Sequence, residues 1–423
     1  MISSREKNPH KNGTVNLFSA FYLSALMASF FAFIFYCMPD FFVPPKKFVN
    51  VYSLFLAKYI PYVVPKTNEN FAFFLTLFFL PFISYVSILI TRFFIKKITP
   101  YQIKIVEISL IITTVFILTF LFYNSDYFIY LTYNIFHNKI IMFALMIFAI
   151  LTAFTFNRFN ISSRVAKYFS YLLIILSIAF IIFQTVSFRI VNVNHTEPFI
   201  SWGVDFCAVF YSVTQVFAGK TILSDLTAQY GMYAEILKPI FKLIGLSVYK
   251  FTLVMGILQM LALACILFVQ WKLQWSKRIF FLYLINLCLC TGYVWYFIMG
   301  QWDPYYQYYP VRFFFPAVAI LLQYQYIKNL SAKFIPIIGV WSALSLIWNI
   351  ESGIAVLGAF FCYIISYLLF PTNLINRKKA AIHLGCFLGT VSGFLFIFVI
   401  YLKAKSNYTV DALEYFKYAH LFY

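Results

Sequence analysis

At 423 residues, 63% hydrophobic and only 11% charged, with mean hydropathy +0.84, the chain carries more apolar surface than one water-facing core can hide. A soluble fold is excluded, and the expected class is all-α: a polytopic transmembrane helical bundle forming a single membrane domain over 1–423. The net charge of +19 does not indicate a nucleic-acid partner, because the 32 Lys and Arg are scattered between apolar runs rather than drawn into a basic stripe or arm.

The first apolar run, about Asn16 to Tyr36, follows Arg5, Lys7 and Lys11. At about 20 residues it is long enough to span, and Cys37-Met38-Pro39-Asp40 offers no small-x-small cleavage site, so it reads as an uncleaved signal anchor. Val49 to Val64 is also apolar, but Lys58 and Pro61 in its middle lay it on the interface. Further runs of roughly 15–22 apolar residues begin near 71, 105, 139, 168, 249, 279, 313, 335, 352 and 384, giving about eleven spans. Residues 1–167 then form a four-span N-terminal segment, 187–248 a large outer loop, and 249–402 the C-terminal spans.

Orientation follows from Lys and Arg. With the N-terminus cytoplasmic, the inner segments take the basic groups at 5–11, 92–104, 158–167, 272–278, 328–333 and 377–379. Of the 13 acids, only Glu6 and Glu107 then remain on the inner side, so polar chemistry is expected on the outer face. The seven Cys and five His are too dispersed for a disulfide or metal framework, and most of the Cys read as small apolar packers. The chain stops on an amphipathic stretch, 412–423, without a cap, the pattern expected of a truncated form of something longer.

The outer segment from about Ser187 to Val248 is aromatic-rich and should fold on the membrane surface. Phe206 to Ala218 is an apolar run of helical length, preceded by Asp205 and stopped by Gly219; after the Gly219-Lys220 turn, Ser224-Asp225 reads as a second helix start. Ile236, Leu237, Ile240, Phe241 and Ile244 recur at helical spacing up to Gly245, with Lys238 and Lys242 on the other face. Tyr233 to Ile244 is therefore expected as an amphipathic helix in the headgroup layer, its regular part beginning at Pro239.

Two outer features beyond it are short and polar: the stretch from Gln301 to Arg312 and the hairpin Trp348-Asn349-Ile350-Glu351-Ser352-Gly353. Glu351 lies between contiguous apolar runs, near or below the interface, where a charge needs a partner or a wet cavity. Arg312, flanked by aromatics at the outer mouth of a short span, is the candidate partner, or else a holder of phosphate.

His195-Thr196-Glu197, Asp205, the run Ser224-Asp225-Leu226-Thr227-Ala228-Gln229-Tyr230-Gly231, Tyr309-Pro310-Val311-Arg312 and the 348–353 hairpin resemble motifs of bacterial polytopic glycosyltransferases of the C fold class. The resemblance covers about residues 168 to 370. It implies an inverting transfer of a sugar from a polyprenyl-phosphate donor to an acceptor on the outer face of the bacterial inner (cell) membrane, where nucleotide sugars are not found. It also implies Asp205 as the base, with Glu197 as second choice, Arg312 and Lys238 facing the phosphate, and Asp303, Glu351 and Tyr or Trp side chains lining the sugar site. The implied partners are a polyprenyl-phosphate-sugar lipid and membrane lipids, and a divalent metal is the one cofactor considered.

Each residue also has a structural reading. Asp205 before a helical run is either a base or an N-cap, and Asp225 reads as a cap. His195 and Glu197 lack a third ligand and read as an exposed loop pair rather than a metal site. The aromatics from Trp302 to Tyr309 fit an interfacial belt, and Lys238 with Lys242 a solvated face. The alternative function is a transporter or flippase of lipid-linked sugars. An ion-coupled carrier is disfavoured, because no acid lies mid-span and no repeat is visible. A non-catalytic membrane scaffold is the third class.

Overall fold

The computed structural model describes residues 200–273 apart from Gln229, 306–371, 375–406 and 408–411, with isolated positions at Ile83, Val86 and Tyr415. The spans expected near 16, 71, 105, 139, 168 and 279 and the interfacial stretch 49–64 lie outside the described residues, except for Ile83 and Val86, which are helical. Among the described residues every regular element is a helix and no strand occurs. They are α1 (Ile200–Phe217), α2 (Tyr233–Ile244), α3 (Val248–Leu273), a π-turn (Gln307–Arg312), α4 (Phe314–Asn329), α5 (Phe334–Trp348), α6 (Ile350–Leu369) and α7 (Arg377–Lys405). Three of these, α3, α6 and α7, are long and apolar enough to cross a bilayer, as a helical membrane protein requires.

The chain divides into two compact units, one of Met1–Ile98, Thr221–Gln229 and Ile354–Tyr423, the other of Thr99–Lys220 and Tyr230–Gly353. In the second, α3 packs on α4, α4 on α5, α2 on both α1 and α5, and the π-turn on α3 and α4. An aromatic core ties them: Phe251 of α3 lies 4.9 Å from Phe210 of α1, 6.1 Å from Phe241 of α2 and 5.4 Å from Tyr306 just before the π-turn. Tyr306 is fully buried there, so this member of the Trp302-to-Tyr309 cluster is core rather than interfacial belt or sugar-site lining.

The two faces of α3 are equally apolar. Phe251, Met255 and Ala262 are buried, whereas Leu253, Ile257, Leu261 and Phe268 are exposed, an arrangement suited to lipid rather than water. Exposed Tyr249 and Trp271 mark its ends, and at about 1.5 Å per residue they stand about 33 Å apart, close to the thickness of a hydrocarbon core. At the Trp271 end, the Lys272 ammonium lies 4.5 Å from that indole, as expected of a cation held at an interface.

Two expectations about the first half of the outer segment are corrected here. Helix α1 begins at Ile200, six residues before Phe206, so Asp205 sits inside the helix and cannot be its N-cap. In the first unit, no helix starts at Ser224-Asp225; the segment is a turn, in which the Thr221 amide donates to Asp225 Oδ2 at 2.8 Å and the Asp225 amide returns a bond to the Thr221 carbonyl at 2.9 Å. Asp225 thus closes a turn, the alternative use that short acidic side chains make of nearby backbone donors.

Helix α2 keeps its expected limits, yet Pro239 lies inside it without ending it. A mid-helix Pro costs about 3 kcal/mol, but Leu237 and Phe241 on either side are fully buried, and each such side chain contributes about 2–5 kcal/mol. The packed face is also not the expected one. Ala234, Leu237 and Phe241 are buried together with Glu235, Lys238 is half-buried, and Ile240, Leu243 and Ile244 are exposed. The N-terminal half of α2 is therefore embedded in protein, while its C-terminal turn stands out just before α3.

In the first unit, α7 starts at Arg377 rather than near 384, so Arg377, Lys378 and Lys379 form its first turn. That placement opposes the helix dipole, and Asn376 offsets it by accepting the Lys379 amide at 2.8 Å. Phe360 of α6 packs edge-on against Phe387 of α7 at 5.0 Å.

Candidate functional site

Pro310 sets the local backbone. It has no N–H to give the Tyr306 carbonyl four residues back, and that carbonyl instead accepts from the Val311 amide at 3.1 Å, one residue later. In the same turn the Val311 carbonyl accepts from the Trp348 indole, whose Nε1 donates to it at 2.7 Å. Arg312 is the next residue, half-buried at the end of the turn.

The second half of the site is the tip of the α5–α6 hairpin. One extended residue, Asn349, separates the two helices. Its Oδ1 accepts the Ser352 amide at 2.9 Å and so caps α6, while its Nδ2 donates to the Tyr230 carbonyl at 3.1 Å. Gly353 allows the reversal: a Cβ there would come within 2.4 Å of Leu346 Cα.

A third strand of chain closes against this tip. Gly231 has φ +111°, and a Cβ on it would stand 2.0 Å from the Trp348 carbonyl oxygen, so only glycine fits. The Met232 amide then donates to the Ile347 carbonyl at 2.8 Å. Tyr233 follows, its ring 5.8 Å from Trp348 and its hydroxyl donating to the Val209 carbonyl at 2.8 Å, with Ser212 Oγ also at 2.8 Å. Burial pushes the Tyr233 phenol well above its ordinary range, so it acts as a neutral donor.

These backbones bring Arg312 and Glu351 together. Arg312 Nη2 donates to Glu351 Oε1 at 2.9 Å, and Nε lies against Oε2 as a close ion pair. The side chains keep 25% and 18% of their exposure, which leaves the pair reachable rather than sealed. Glu351 sits in the first turn of α6, where the helix dipole also favours a negative charge. The partner expected for Glu351 from its depth is the one found, and Arg312 is neutralised by it.

The remaining expected site residues are distributed as follows. Glu197 and Asp303 lie outside the described residues, and Asp205 is placed only as a backbone position within α1. Lys238 is half-buried on α2, immediately before Pro239. Among the described residues, no three His, Cys, Asp or Glu lie close enough to hold a metal ion.

Sequence reasoning gave no individual role to Glu235, a residue 3% exposed in the first turn of α2, or to Gly231, Trp348 and Asn349, which fix the junction. The signal for the latter group was in the motifs: Tyr230-Gly231, Pro310-Val311-Arg312 and the 348–353 hairpin are three of the segments that carried the resemblance, and they meet at one place. No known family model, curated protein or solved structure matches this chain.

Proposed function

We propose that the protein is a membrane glycosyltransferase that moves a sugar from a polyprenyl-phosphate donor to an acceptor on the outer face of a bacterial cell membrane. The observation that carries this reading is the junction of three motif segments around the Arg312–Glu351 pair, at the start of a membrane-length helix. In this reading the chain makes about eleven spans with its N-terminus cytoplasmic, and the exposed end of α2 rests in the headgroup layer.

The chemistry follows from few parts. The acceptor hydroxyl attacks the anomeric carbon and gives its proton to a carboxylate, Asp205 or, second, Glu197. The bond from that carbon to the phosphate oxygen breaks, its electron pair leaves with the phosphate, and Arg312 with Lys238 compensates the charge that develops. Asp303, Glu351 and the aromatic side chains hold the sugar.

Asp205→Asn tests the assignment. Because Asp205 lies within α1, the substitution removes a charge without removing a cap. A general base should lose on the order of 10²–10⁴ in rate, with stability unchanged. In a strain lacking the native copy, expression, thermal stability and the surface-glycan phenotype are compared. Full restoration at equal expression ends the catalytic assignment of Asp205.

A further inference from the structure

We propose that Glu351 is the resident anion of a phosphate site: its carboxylate occupies the Arg312 fork until a phosphate group displaces it. The identity of that phosphate as part of a lipid carrier rests on the transferase reading, whereas the exchange itself does not.

Four observations lead there. A guanidinium binds carboxylate and phosphate through the same N–H edge, and Arg312 turns that edge to Glu351, with Nη2 hydrogen-bonded to Oε1 and Nε against Oε2. With about a quarter of the Arg312 side chain exposed, an incoming anion can reach it without unfolding the junction. The backbone on both sides is fixed, by the Trp348 indole on Val311, by the Asn349 cap on α6 and by Gly353 against Leu346, so exchange requires only side-chain rotation. Glu351 stands in the first turn of α6, a helix of membrane-spanning length, and if α6 crosses the bilayer its first turn lies near the level of the lipid headgroups.

The device has a physical purpose. A half-buried guanidinium left with no counter-charge is costly, so a site that empties after each cycle gains from an internal anion that returns when the ligand leaves. The released carboxylate is itself supported by the N-terminal dipole of α6. The apparent affinity for phosphate is then lowered by the fraction of time that Arg312 is taken by Glu351.

The test uses the full chain in dodecyl maltoside micelles, which carry no phosphate, with farnesyl phosphate and inorganic phosphate as probes in calorimetric titrations. Glu351→Gln should bind farnesyl phosphate tighter than the wild type by about tenfold or more, and Arg312→Gln should lose binding. Unchanged or weaker binding by folded Glu351→Gln overturns the proposal, as does full binding by Arg312→Gln. Difference infrared spectra of the wild type with ¹³C-labelled Glu serve if Glu351→Gln does not fold. A carboxylate band should move from paired to free when farnesyl phosphate is added, and a silent spectrum overturns the exchange. Preference for farnesyl phosphate over inorganic phosphate assigns the site to a lipid carrier. Equal affinity assigns it to free phosphate, which removes support for the transferase reading while the exchange stands.

Discussion

Gly231→Ala isolates the contact on which the junction depends, because Gly219 provides a matched control. Both glycines have nearly the same backbone angle, φ +111° and +110°, but a Cβ at Gly219 meets nothing within 4 Å, whereas one at Gly231 meets the Trp348 carbonyl oxygen at 2.0 Å and Asn349 Cα at 2.9 Å. Gly219→Ala should therefore cost only the backbone strain, about 1–3 kcal/mol. At Gly231 the obstructing atoms are backbone, and relief requires moving two segments apart by more than an ångström. That separation breaks the Met232-to-Ile347 bond of 2.8 Å and the Asn349-to-Tyr230 bond of 3.1 Å. Each bond is worth about 1 kcal/mol, and a buried partner left unsatisfied costs about 1–3 kcal/mol. Gly231→Ala should thus exceed Gly219→Ala by about 3–5 kcal/mol. Equilibrium unfolding of both variants by sodium dodecyl sulfate in mixed micelles, followed by tryptophan fluorescence, gives the difference. Two variants within about 1 kcal/mol of each other would show that the tip of the α5–α6 hairpin does not press on Gly231.

Gln259 is 1% exposed, lies about halfway between Tyr249 and Trp271 on α3, and has no hydrogen-bond partner for either amide atom among the described residues. Gln259→Leu should raise stability in the same assay by about 1–3 kcal/mol, and a loss would mean that the amide is satisfied. Leu243, 87% exposed on the last turn of α2, should report immersion in the headgroup layer when a spin label replaces it; a label in bulk water refutes the surface placement of that turn. Ser162→Cys and Arg377→Cys should be shielded from an impermeant thiol reagent in intact cells and Thr196→Cys labelled, and labelling of all three rejects the topology.

What the sequence by itself determined is what a bilayer demands locally. A run of about 20 apolar residues becomes a helix whatever its neighbours, since no other shape satisfies its backbone in lipid, and α3 and α6 begin within two residues of where their composition starts. The limits of α2 were equally legible, because its apolar period stops at Gly245. The need of Glu351 for a partner or a wet cavity was legible from the apolar runs on either side of it, with Arg312 a candidate, and the fold pairs the two. Tertiary structure alone decided which face of α2 is packed, because Leu237 and Phe241 are chosen by the presence of other helices and not by the repeat, which Ile240 and Ile244 satisfy as well. It also decided that Asp205 is inside a helix and that Asp225 closes a turn, since a short acidic side chain serves a cap, a turn or a site with the same local sequence. Pro310 announced a disturbed helix, but that the Val311 carbonyl in that turn would accept from Trp348, 37 residues later, depends on a hairpin that only the assembled fold brings back to it.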